Sequence, residues 1–175
     1  MDGILRLRDQ LAAHPELWNR HRERTEMYGT PHNGVSDIWV RYNPWRNYTG
    51  DWARFHDEHE SEWYPCIVAI PAAWSVARKV ARQFGCEQLG GVLISRIPPG
   101  GKVAAHIDGG WHAQHYRKFG VQVQGHQDQV FWFGEHRELE LRPETGGVYE
   151  FRNDIVHGVD NDSDIDRITM VVCGR

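Results

Sequence analysis

Beyond Gly85 the chain breaks into short β-like runs at 91–97, 102–107, 119–125, 129–133, 137–141, 147–152 and 166–173. Turn formers separate them: Pro99-Gly100, Gly109-Gly110, Gly134-Glu135, Thr145-Gly146-Gly147 and Asn161-Asp162. Many short strands at close spacing bury their apolar faces by folding into an antiparallel sandwich or barrel. The expectation is a mainly β chain with flanking α-helices, a double-stranded β-helix (jelly roll) of the cupin-like kind.

The first half is different. Ile4, Leu7 and Leu11 recur at helical spacing, so Asp2–Ala13 reads as a short amphipathic helix that ends before Pro15. Residues 16–35 are charged and then rich in turn formers, and 37–42 (D-I-W-V-R-Y) is a strand. Residues 45–64 show no clean period, and the reading there is a long surface excursion, a lid over a pocket. The run 71–84 opens on proline, carries an apolar stripe of Ala73, Val76, Ala77, Val80, Ala81 and Phe84, and is capped by Gly85. With helices first and strands second, the helices should buttress one sheet. No linker divides the 175 residues, which gives one domain with a helical part to about 88 and a β-roll core from about 89.

Composition removes several function classes. The formal charge is −4, which argues against a phosphate-binding surface and so against nucleic acid as a partner. No apolar run approaches the roughly 20 residues a bilayer helix needs, so no membrane partner is expected. The N-terminus lacks a signal peptide's apolar segment, and the three scattered cysteines do not suggest a disulfide framework. A reducing, cytoplasmic setting is the expectation. Eight tryptophans and eleven histidines suit an aromatic-lined pocket with titratable or metal-binding groups.

The chemistry concentrates at His106-Ile107-Asp108. Side chains two apart on an extended strand share a face, so an imidazole and a carboxylate can address one point. His157, ahead of another strand-like run, supplies a second imidazole. Two histidines and one carboxylate make the facial triad that leaves coordination positions open for a co-substrate and O2 at non-haem Fe(II). A 2-oxo acid bound there needs a cation for its distal carboxylate. Arg167, on the last strand, can meet it in the bidentate geometry that lysine lacks.

The stretches R-I-P-P-G-G-K-V-A-A-H-I-D, G-G-V-Y-E-F-R-N-D-I-V-H-G-V-D-N-D-S-D and D-R-I-T-M-V-V, with P-H-N-G-V-S-D-I-W-V-R-Y earlier, resemble the aspartyl/asparaginyl β-hydroxylase family of Fe(II)/2-oxoglutarate-dependent oxygenases. The likeness spans about 30–42 and 90–173. It implies a dioxygenase that hydroxylates a C–H of an amino acid or amino-acid residue of Asp, Asn or Pro type. In it His106, Asp108 and His157 hold Fe(II), Arg167 anchors 2-oxoglutarate, and Ser95 and Arg117 also contact that co-substrate. Asp108 is a departure from the vertebrate enzyme, which has no carboxylate there, and an agreement with many bacterial relatives. It argues against a halogenase, whose halide takes that position, and against a direct transfer of the vertebrate substrate.

Other readings stand beside this one. The same roll hosts metal isomerases of the cupin type and non-catalytic binding modules. Arg167 can be a strand-borne partner of Asp164 or Asp166, and Arg117 a solvent-facing residue. His56 and His59 can bind a second metal or belong to a solvated acidic segment. The walls of the cavity are assigned to 130–133 and to the Trp-rich 45–64 segment.

Overall fold

A computed structural model describes residues 2–175. The chain opens with α1 (Asp2–Ala13), then a short α2 (Glu23–Glu26) and β1 (Ser36–Tyr42). Next come α3 (Trp52–Phe55), β2 (Glu62–Trp63) and α4 (Pro71–Gln83). The second half holds β3 (Leu89–Ile97), β4 (Lys102–His106), α5 (Gly110–His115), β5 (Arg117–Gln124) and β6 (Gln129–Phe133). It ends with β7 (Leu139–Leu141), β8 (Val148–Phe151), β9 (His157–Asn161) and β10 (Arg167–Gly174).

The strands form two antiparallel sheets. One has six strands in the order β2-β1-β3-β10-β5-β8, the other four in the order β4-β9-β6-β7. This is the expected roll: β1, the strand expected over 37–42, extends the larger sheet, and a short β2 that the sequence did not mark extends it further.

Alternation gives the large sheet two faces. Ile94, Val121, Met170 and Val172 point to a core shared with Leu7 and Leu11 of α1 and Val76 and Val80 of α4. Fully burying each such side chain contributes about 1.5–3 kcal/mol. Helix α4 starts on Pro71, and the Ala72 amide in its first turn donates to Gln10 Oε1 of α1 at 3.0 Å. That bond satisfies a helix-end N–H and ties the two helices together. The chain leaves α4 through Gly85 at φ +69°, a conformation glycine adopts freely. A second, smaller core of Ile97, Val103, Phe131, Phe133 and Val159 lies between the sheets.

Residues 45–64 run largely over the surface, as expected, but are anchored to the core: Phe55 is buried, Asn43 Nδ2 donates to the Phe55 carbonyl at 2.8 Å, and β2 pairs with β1. Aromatic packing against Trp39 and Tyr42 overrides the segment's acidic character. The chain from His157 is strand β9, a run that the β-like segments marked in the sequence leave out. Its central place between β4 and β6 decides its conformation. Residues 110–115, which no segment marked in the sequence covers, form helix α5.

Candidate metal centre

His106 closes β4, and His157 opens β9 directly opposite it in register. Asp108 follows the end of β4, where its amide donates to the Asn153 carbonyl at 3.1 Å. His106 Nε2 stands 3.7 Å from Asp108 Oδ1, and His157 Nε2 stands 3.5 Å from Asp108 Oδ2. One ligand atom from each residue lies within 4.8 Å of the others, and among the described residues this is the one such group. Ligands at right angles around a small divalent ion stand about 3 Å apart, so small side-chain rotations close the set.

Second contacts fix how these groups present themselves. His106 Nδ1 lies 2.8 Å from the Ala104 carbonyl, and His157 Nδ1 lies 2.8 Å from the Ile155 carbonyl. A carbonyl only accepts, so each Nδ1 carries the proton and each Nε2 offers a lone pair to the shared point. Burial pushes the His106 ring below the ordinary imidazole range. Burial alone would raise the Asp108 carboxyl, but Lys118 outweighs it by charge and hydrogen bond and holds the group below its usual value. The donor set is therefore one Nε2 from each imidazole and one carboxylate, which fits a divalent first-row metal.

Lys118 was not singled out in the sequence, and it corrects the reading of its neighbour. Its Nζ donates to Asp108 Oδ2 at 2.6 Å. Arg117, one step earlier on β5, faces the opposite way. It makes a two-armed bond to Glu150 at 2.8 and 2.7 Å, donates to the Phe84 carbonyl, and does not line the cavity. The one-residue alternation of a strand puts the lysine inside and the arginine out.

The triad opens on a cavity of about 240 Å³ that Ser95 and Arg167 also line. Ser95 pairs with Thr169 across β3 and β10. Arg167 is 4% exposed and has no carboxylate beside it. Its Nη2 reaches the Tyr149 hydroxyl at 3.5 Å, its guanidinium lies 5.9 Å from the Phe131 ring centre, and its Nε has no partner. Asp166, a candidate partner in the sequence, is half-exposed and stands 3.9 Å from Arg96 instead. A buried cation without a counter-ion is costly, so this side chain awaits an anion.

The far wall is aromatic and imidazole-rich. His32, unremarked in the sequence, packs edge-on to His106 with ring centres 4.9 Å apart. Arg24 Nη2 lies 3.0 Å from it, and burial with that guanidinium pushes the ring far below its usual range. Of the 45–64 segment, His56 lines the cavity. Its Nδ1 meets the Tyr42 hydroxyl at 2.6 Å, whereas His59 Nδ1 turns to the Asp57 carbonyl. Neither joins a cluster of metal ligands. In 130–133, Phe131 is the wall residue.

No protein-family model matches the chain, and no curated protein matches it. Among solved structures, it is similar to an oxidoreductase of the 2OG-Fe(II) oxygenase family from Burkholderia pseudomallei. The two are 13% identical, the match covers 93% of this chain and 77% of that one, and the TM-score is 0.61. A cupin domain from Bordetella pertussis is 18% identical over 51% of this chain and 84% of its own, at a TM-score of 0.40. A conserved protein with a double-stranded β-helix domain from Klebsiella pneumoniae is 19% identical over 48% of this chain and 65% of its own, at 0.38. The likeness to the oxygenase is one of fold, and the fold is the double-stranded β-helix. No helix among the described residues is long and apolar enough to cross a membrane.

Proposed function

We propose that the chain is a single-domain Fe(II)- and 2-oxoglutarate-dependent dioxygenase of the aspartyl/asparaginyl β-hydroxylase kind. It hydroxylates a C–H of an amino acid, free or within a peptide, of Asp, Asn or Pro type. The observation that carries this reading is Arg167: a buried guanidinium with no carboxylate partner and a free Nε, in the same cavity as a two-histidine, one-carboxylate triad. A cupin-type metal enzyme without oxygen chemistry gives the triad a purpose but leaves this arginine without one.

His106, Asp108 and His157 would hold the metal, and Arg167 would receive the distal carboxylate of 2-oxoglutarate in the cavity that Tyr149, Ser95 and Thr169 also line. When bound, Fe(II) supplies the redox chemistry that couples decarboxylation of 2-oxoglutarate to succinate and CO2 with transfer of one oxygen atom from O2 to the substrate C–H. The chain's own work is placement and exclusion. The Ala104 and Ile155 carbonyls fix the two imidazole tautomers, Lys118 keeps Asp108 ionised, and Phe131 and Phe151 keep water from the anchor.

Anaerobic titration of the Fe(II) protein with 2-oxoglutarate tests the reading. A weak visible metal-to-ligand band that saturates at one equivalent is expected. A protein that binds Fe(II) but develops no band and releases no succinate would count decisively against it.

A further inference from the structure

The cavity continues past the triad, away from Arg167. Arg167 pairs with Ile97 at one end of β10, and five residues on Val172 pairs with Val92, whose other edge pairs with Arg41. At ~3.3 Å per residue these two places are about 17 Å apart along the strands. A diacid held by Arg167 and reaching the metal occupies only the first part of that length. Trp39, Arg41, Tyr42, His56, Gly91 and His112 wall the rest.

The groups without partners along this cavity share one property. Among the described residues, its unpartnered buried side-chain atoms are Arg167 Nε, Arg41 Nε and Trp39 Nε1. Each is a hydrogen-bond donor that can never accept. The unpartnered acceptors Glu23 Oε2, Asp37 Oδ1 and His59 Nε2, and the Ser61 hydroxyl, which can donate or accept, belong to residues outside the lining. The polar side chains of the far wall add to this excess. His112 Nε2 accepts the Gly91 amide at 3.0 Å, which leaves its proton on Nδ1. Tyr42 and His56 share one hydrogen bond, which leaves one O–H or N–H donor unspent.

Charge points the same way. Arg24, Arg41, Lys118 and Arg167 line the cavity against the single carboxylate of Asp108. Arg24 is balanced by Asp37 and Lys118 by Asp108. Arg41 is not balanced: it donates to the Ser61 and Leu89 carbonyls and lies over the Trp63 ring. The neighbouring acid Glu62 is held by Arg46 at 2.7 and 2.9 Å. Arg167 answers the co-substrate, so Arg41 is the cation left over.

We infer that the substrate is a small carboxylate anion whose carboxylate is received by Arg41 and Trp39, at the end of the cavity opposite Arg167. This rests on the oxygenase reading above. The volume of about 240 Å³, shared with the co-substrate, suits a compact acid rather than a drug-sized molecule.

The test uses matched pairs, free L-amino acids against their neutral α-carboxamides. Succinate release is followed in the Fe(II) enzyme, and binding by calorimetry in the Zn(II), 2-oxoglutarate-loaded protein, which does not turn over. The acids are expected to bind and to stimulate release about tenfold or more over the amides, as for a hydrogen bond to a charged group. Trp39→Phe, which removes one N–H and keeps the aromatic plane, should shrink that preference, and Arg41→Gln should erase it. Both variants should keep wild-type affinity for 2-oxoglutarate. Equal response to acids and amides, response to peptides alone, or a preference that survives both substitutions overturns the assignment. If Arg41→Gln does not fold, Trp39→Phe decides alone. Absence of 2-oxoglutarate binding in the wild type defeats the oxygenase reading itself, an outcome separate from the others.

Discussion

His106 and His157 face each other across β4 and β9 with ring centres 4.4 Å apart, and each reaches with Nδ1 to the carbonyl two residues before it. The same local device, used on two adjacent strands, aims both Nε2 atoms at one place. Replacing either histidine by alanine should therefore lower divalent-metal affinity by about 100-fold or more, since removing a ligand costs at least as much as removing its supporting partner. Competition against a chelating dye measures this, and retention of wild-type affinity by either variant would show that the residue is no ligand.

Arg167→Met should separate stability from binding. The guanidinium is buried without a carboxylate, so an apolar side chain of similar length should raise the unfolding free energy of the ligand-free protein by about 1 kcal/mol or more. The same change should abolish 2-oxoglutarate binding. A structural arginine would give the opposite stability result, so denaturant unfolding discriminates.

A methyl group at Gly120 would stand 2.3–2.6 Å from the Tyr149 ring and hydroxyl. Gly120→Ala should then displace Tyr149 from its place beside Arg167, with a loss of about 1–3 kcal/mol in stability and weaker 2-oxoglutarate binding. Unchanged affinity would show that Tyr149 takes no part in the anchor.

Arg117→Gln should leave metal and 2-oxoglutarate affinity as they are. Its pair with Glu150 is about half exposed, and such pairs contribute about 0–1 kcal/mol. Loss of co-substrate binding in this variant would restore the role that the family resemblance gave it.

The buried imidazoles should make the protein acid-sensitive. His56 is pushed down to about 4 and His112 to about 3, chiefly by burial. In the unfolded chain both titrate near 6.5. Between that value and about 4 the unfolded state binds protons that the folded state refuses, so stability is full above it and falls as pH drops. Each group steepens the fall by up to about 1.4 kcal/mol per pH unit. His112→Gln keeps an acceptor for the Gly91 amide and should flatten the profile between pH 5 and 6 by about one proton. An unaltered slope would mean that His112 is protonated in the folded state.

Much of this arrangement was legible in the sequence because strong local signals carried it. The apolar spacing of Ile4, Leu7 and Leu11 and the Pro71 and Gly85 punctuation mark α1 and α4. The His-x-Asp pattern with His157 marks the triad. What escaped depends on tertiary context. Strand β9 carries Gly158, Asp160 and Asn161, residues that favour turns, and is held extended by partners on both edges. Lys118 and Arg117 differ only in which face of β5 they occupy, which neither composition nor charge reveals. His32 and Trp39 lie in a stretch that carries the family resemblance, but they reach the cavity through the folding of distant segments, so their part in it is not readable from their neighbours.

The proposed metal ligands His106 and His157 belong to one sheet and the proposed anchor Arg167 to the other. In the proposed enzyme the gap between the layers, filled by Val103, Phe131 and Val159, acts as a calliper on the length of the dicarboxylate. A keto diacid one methylene shorter can touch one jaw or the other but not both. Swelling or shrinking those three side chains retunes which chain length is accepted, without altering any group that bonds to it.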